Sequence, residues 1–156
     1  IAHVIDQLMV YNDRIPLDPQ HLTRFHSRAT PGITIADYLA RIVRYTSLET
    51  ACLLCILVYI DRVCASHPTF TLASLTAHRF ISAAVTVAAK TLCDVYCTNA
   101  HYAKVGGVSC AELNALELAL LRMIDWRLYC RREELQRYYE NLVQQHPGYR
   151  LAEKPA

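Results

Sequence analysis

Thr71 to Leu92 reads TLASLTAHRFISAAVTVAAKTL. It contains no Gly and no Pro, and its Ala and Leu favour helix. The spacing predicts one helix over the whole stretch, about 33 Å long at about 1.5 Å per residue. Thr71 is placed to cap it. Leu72, Leu75, Phe80, Ile81, Val85, Val87 and Leu92 leave no wide polar face. A helix that is apolar nearly all round belongs inside a bundle. Ala83, Ala84, Ala88 and Ala89 let neighbouring helices approach closely. Its charges, Arg79 and Lys90, therefore need partners or an exit to water. The longest uncharged run is Phe80 to Ala89, well short of the roughly eighteen residues of a membrane span, so no membrane partner is expected.

The stretch before it is of the same kind. A helix is expected from Leu48 to about His67, carrying ACLLCILVYI and then Asp61-Arg62, with Ser47 as its cap and Pro68 as its stop. The short link to the central helix makes the two antiparallel neighbours. Further out, Ile1, Val4, Ile5, Leu8 and Tyr11 mark an amphipathic first helix, broken by Pro16 and Pro19. Asp18 opens one short turn there, and Arg24 to Gly32 is a polar connector. Thr34 opens a helix over Ile35 to Tyr45.

Beyond the central helix, Asp94 to Lys104 is mixed and polar, with room for one short helix. Gly106-Gly107 is a turn, and Ser109 with Glu112 is a capping box for a helix running to about Trp126. A last helix runs from Arg132 to Gln145 and stops at Pro147-Gly148. No strand pattern competes. The expected fold is all-α: five helices from Ile35 to Gln145 around a central buried one, with a sixth in front. Residues 1–24 form the first helix and connector, 25–145 the main domain, and 146–156 a loose tail.

The 156 residues suit one domain, and 53% hydrophobic against 19% charged residues supplies a large core. Sixteen basic against fourteen acidic residues leave no nucleic-acid footprint, so no nucleic acid is expected as a partner. Seven Cys is an odd number, set mostly in apolar helical pattern. They read as reduced thiols packed as small hydrophobes, in a nuclear or cytoplasmic protein. Cys52 and Cys55 form a C-x-x-C within a helix, without a second pair at zinc-finger spacing. Cys93 and Cys97 with His101 are within reach of one metal, but packing is the simpler reading, and no metal or cofactor is expected. No nucleophile elbow and no phosphate-binding Gly-rich loop is present, so enzyme chemistry is not expected.

Four charges are left in or beside the apolar helices. Arg41 and Asp61 are each set among buried residues and are expected to pair, because an unpartnered buried charge costs several kcal/mol. Lys90 stands near the end of the central helix, where it favours the carboxyl terminus or snorkels to the surface. Glu117 lies mid-helix, and by itself reads as a solvated charge.

The order of short motifs adds context. The chain has Y-L-A-R-I at Tyr38 to Ile42, Y-I-D-R at Tyr59 to Arg62, H-R-F at His78 to Phe80 and V-A-A-K at Val87 to Lys90. N-A-H-Y-A-K-V-G-G-V-S follows at Asn99 to Ser109, and E-L-N-A-L-E at Glu112 to Glu117. This series resembles the cyclin box, and most closely that of the P/U-type cyclins of phosphate-regulated kinases. The resemblance spans roughly Phe25 to Leu142. It implies a five-helix cyclin box at 25–145 and a regulatory subunit that binds and activates a cyclin-dependent Ser/Thr kinase in cell-cycle or nutrient and phosphate signalling, with room for that kinase's protein substrates as further partners. It implies that Arg41 and Asp61 match the family's buried pair. It also implies that Lys90 and Glu117 match the Lys and Glu that hold the kinase's regulatory helix. The Arg-x-Leu docking patch of cell-cycle cyclins is not recognisable around Arg41. The free protein is expected to be a monomer. The rival reading is a cyclin-fold transcription adaptor that activates no kinase.

Overall fold

The computed structural model describes residues Ile1–Glu153, and every regular element among them is helical. In chain order these are α1 (Ala2–Asn12), a short 3-10 turn (Pro19–His21), α2 (Ile35–Thr46), α3 (Thr50–Ser66), α4 (Ala77–Leu92), α5 (Asn99–Gly106), α6 (Cys110–Met123) and α7 (Arg132–Gln145). The expected short helix after the central one is α5, so six α-helices follow the connector. Of the expected tail, residues 146–153 carry no helix, and 154–156 lie outside the described residues. Among the described residues no helix is long and apolar enough to cross a membrane.

α4 is the axis. Ala77, His78 and every residue from Phe80 to Ala89 are buried. α3, α5 and α6 pack directly on it, α2 closes over α5, α1 lies against α2, and α7 lies against α3. The alanines of α4 supply the close approach: Ala83, Ala84 and Ala88 are fully buried. Phe25 of the connector joins this core, edge-on to Phe70 with ring centroids 5.9 Å apart and tilted against Phe80 at 5.4 Å.

Two expected helix starts move. α4 begins at Ala77 instead of Thr71, because residues 71–76 spend their polar groups otherwise. Thr76 Oγ1 donates to the Thr71 carbonyl and accepts from the Ala73 N–H, both at 2.9 Å. The end of α1 takes up more of them: Asn12 donates to the Leu72 carbonyl, and the Ser74 N–H donates to Asp13. Local and tertiary bonds of this kind compete with helix. Ser47 does not cap α3. It closes α2 in the left-handed region at φ 50°, and Glu49 is the first extended residue before α3.

The α5–α6 turn needs its glycines for two reasons. Gly107 has φ +75°, and a Cβ on Gly106 would lie 2.4 Å from Ser82 Oγ and 3.3 Å from Tyr38 Oη. Tyr38 Oη donates to the Gly106 carbonyl at 2.8 Å. Gly106→Ala is expected to lose about 1–2 kcal/mol through overpacking, read as a lowered denaturant midpoint with an unchanged slope.

All seven cysteines are free thiols, and Cys52, Cys55 and Cys130 are buried. Burial, and then the hydrogen bond to Cys93, pushes the Cys52 thiol from its ordinary 9.0 up to about 12. The unfolded chain therefore ionises first, and this thiol's contribution to stability is intact below pH 9 and lost as pH rises towards 12. Thermal melts are expected to fall over that window, less steeply in Cys52→Ala.

Candidate functional site

Lys90 and Glu117 meet at one edge of the bundle. Lys90 projects from the last turn of α4, and Glu117 from the middle of α6. The ammonium donates to both carboxylate oxygens, at 3.1 and 3.0 Å. The side chains stay 33% and 18% exposed, so both charges remain within reach of an incoming partner. The contact follows from packing: α4 and α6 lie side by side, and Leu113, Leu116 and Leu120 bury the inner face of α6. Glu117 is left at the rim. Apolar surface flanks the pair in sequence. Leu118 is exposed, and Val95 (89% exposed) and Tyr96 stand in the loop that follows α4.

The expected Arg41–Asp61 pair does not form. Arg41 is half-buried, with its guanidinium carbon 5.2 Å from the Tyr38 ring centroid and its Nε buried without a partner. Asp61 is exposed and accepts from Tyr138 Oη at 2.5 Å. The cause is the neighbour each helix takes. α2 packs on α1 and α5, whereas α3 packs on α4 and α7. Arg41 therefore looks towards the α5–α6 turn, and Asp61 towards α7. Asp61→Ala is expected to cost only about 1 kcal/mol, one exposed hydrogen bond, and a melt lowered by many degrees would contradict this.

The ion pair of the Y-I-D-R motif belongs instead to Arg62. Arg62 Nη2 donates to Glu134 Oε1 at 3.0 Å and to the Tyr129 carbonyl at 3.1 Å, and Nη1 donates to the Arg127 carbonyl. Tyr59, one turn earlier, donates to the Leu128 carbonyl at 2.7 Å. Two residues of one motif thus fasten the α6–α7 link. Glu134 is 72 residues from Arg62 and carried no local signal. Arg79, the other charge of α4, donates to the Arg24 carbonyl at 3.0 and 2.8 Å and pairs with Glu112 at the start of α6. The Ser109 side chain accepts from the Glu112 N–H, so the cap forms while the Glu112 carboxylate turns to Arg79.

No group of three His, Cys, Asp or Glu side chains converges to hold a metal ion among the described residues. His101 Nε2 bonds the Tyr45 carbonyl at 2.7 Å.

The structure thus sets a paired but still accessible Lys and Glu at the rim of a helical body. The cyclin family model matches residues 7–128. The chain belongs to the cyclin family, and its relatives place it among the P/U-type cyclins. It is 47% identical over 154 residues to the Nuc-1 negative regulatory protein preg of Neurospora crassa, covering 97% of this chain and 32% of that protein. It is 52% identical over 107 residues to the PHO85 cyclin PHO80 of Saccharomyces cerevisiae, covering 69% and 36%. It is 42% identical over 132 residues to Cyclin-U1-1 of Arabidopsis thaliana, covering 82% and 63%. The chain thus spans about a third of the first two relatives and under two thirds of the third.

Proposed function

We propose that this chain is the regulatory subunit of a cyclin-dependent Ser/Thr kinase, acting inside the cell in nutrient or phosphate signalling, and that Lys90 and Glu117 are its kinase-binding residues. The observation that carries this reading is the bidentate Lys90–Glu117 pair, held by two packed helices at an edge still open to water. The similarity to a PHO85 cyclin supports the choice of partner.

The mechanism needs no catalytic residue on this chain. A protein kinase is active when a Lys–Glu ion pair forms between its β3 strand and its regulatory helix. A body that binds only the inward position of that helix shifts the population towards it. Lys90 and Glu117 suit the task because one offers N–H donors and the other acceptors. A peptide backbone presents both carbonyls and N–H groups. Leu118, Val95 and Tyr96 are exposed and lie near them in sequence, where they would add apolar contact to a partner.

The test is direct. The purified chain is added to a purified cyclin-dependent kinase of the same source, and phosphate transfer to a Ser-Pro or Thr-Pro peptide is measured. Transfer is expected to rise with the chain and to saturate at equimolar ratio. A chain that binds no such kinase leaves the proposal without support.

A further inference from the structure

We propose that Cys52 and Cys93 form an oxidative modification site, closing an intramolecular disulfide when the protein meets a hydroperoxide. The two sulfurs are 3.4 Å apart and share a hydrogen bond, although 41 residues separate them in the chain. A disulfide needs about 2.05 Å, so closure asks for a movement of about 1.4 Å. Cys93 is the better placed to make it, by turning its side chain while its N–H stays bonded to the Ala89 carbonyl at 2.9 Å. It is the residue at which α4 ends, its backbone is extended (φ −95°, ψ 135°), and a non-helical loop follows. Cys52 sits in the first turn of α3 and is held fast.

The two thiols differ in access, and this sets their roles. Cys93 is half-buried and reachable by a small oxidant, while Cys52 is fully buried. The Cys93 sulfur attacks one peroxide oxygen. An S–O bond forms, the O–O bond breaks, and the leaving oxygen takes the Cys93 proton to depart as water or an alcohol. Cys93 is now a sulfenic acid. The Cys52 sulfur then displaces its hydroxyl. The S–S bond forms, the S–O bond breaks, and hydroxide leaves with the Cys52 proton as water. Two thiols have lost two electrons, and the peroxide has gained them. Burial holds Cys52 in its thiol form, so the second step is the slow one and speeds up with pH.

The other cysteines lack this combination. Cys55 and Cys130 are neighbours but both buried, out of an oxidant's way. Cys64 and Cys110 are exposed and Cys97 is half-buried, but none of the three makes, among the described residues, a sulfur–sulfur hydrogen bond like the one Cys52 and Cys93 share. The new bond would clamp the end of α4, one turn beyond Lys90, to the start of α3.

The experiment uses the whole chain. It is treated with hydrogen peroxide, blocked with N-ethylmaleimide under denaturing conditions, and digested without reductant for mass spectrometry. A Cys52–Cys93 cross-linked peptide is expected as the main product, reversed by dithiothreitol. The melting temperature should rise by roughly 5–10 °C, since the bond closes a loop of about forty residues. Cys93→Ser should abolish the cross-link, and Cys52→Ser should leave Cys93 to overoxidise to the sulfinic acid. The proposal is overturned if wild-type Cys52 stays alkylatable while Cys93 reaches the sulfinic acid, or if cross-links run only through Cys64, Cys97 or Cys110, a Cys93–Cys97 bond included. None of these readouts involves a kinase, so they stand or fall apart from the proposed function.

Discussion

Replacing Lys90 and Glu117 together by Ala is expected to weaken kinase binding at least about a hundredfold and to abolish activation, with the helical spectrum intact. Hydrogen bonds to a charged group contribute about 1.5–3 kcal/mol each. Loss of one from each side chain already reaches a hundredfold, since about 1.4 kcal/mol is a factor of ten. The cost to folding is small, because a partly exposed ion pair contributes about 0–1 kcal/mol. The pair also explains why the double variant is the informative one. In the free protein each charge neutralises the other at 3.0–3.1 Å. Removing only Lys90 leaves Glu117 unpaired at 18% exposure, which adds an electrostatic penalty of its own. Removing both takes out the proposed docking groups and leaves no orphan. Isothermal titration against the kinase, beside a thermal melt of the free chain, separates the two effects. Normal binding by the double variant would sink the site assignment.

What could be read from the chain alone divides along physical lines. That α4 is central was legible, because a helix apolar on all sides can only be surrounded. Where it starts was not. The groups that end the helical run at Ala77 include Asn12 and Asp13, about sixty residues away. The Thr34 and Ser109 caps were legible because each bonds an N–H three residues on. Pairings of charges between helices were of the opposite kind. Lys90 and Glu117 stood out only through the resemblance to cyclins, and nothing in their spacing of 27 residues announces that they touch. Arg41 and Asp61 were expected to pair because each stood among apolar residues. Which neighbour a helix turns that face towards is decided by the whole packing, and here it separates them. The Cys52–Cys93 contact escaped for the same reason: α3 and α4 were read as neighbours, but not their register.

Arg62→Ala is expected to cost roughly 2–4 kcal/mol, because the guanidinium makes several charge-assisted bonds at once and leaves their acceptors behind. Its side chain is only 17% exposed, and that of its partner Glu134 only 24%. Two of the acceptors are the Arg127 and Tyr129 carbonyls of the link between α6 and α7. This link carries two of the three non-glycine residues at positive φ among the described residues, Asp125 and Trp126 at 53° and 59°. A segment so bent stays in place only if its neighbours hold it. Arg62 and Tyr59 do so from α3, and α7 is positioned through them. Truncation at Arg62 should therefore lower the melting temperature by roughly 5–10 °C and raise amide exchange first in residues 127–145. Asp61→Ala, one position away, should do neither. The contrast is the decisive measurement. If both variants melt alike, the anchoring role belongs to neither residue. If Asp61→Ala is the more damaging, the Tyr138–Asp61 hydrogen bond, not Arg62, positions α7.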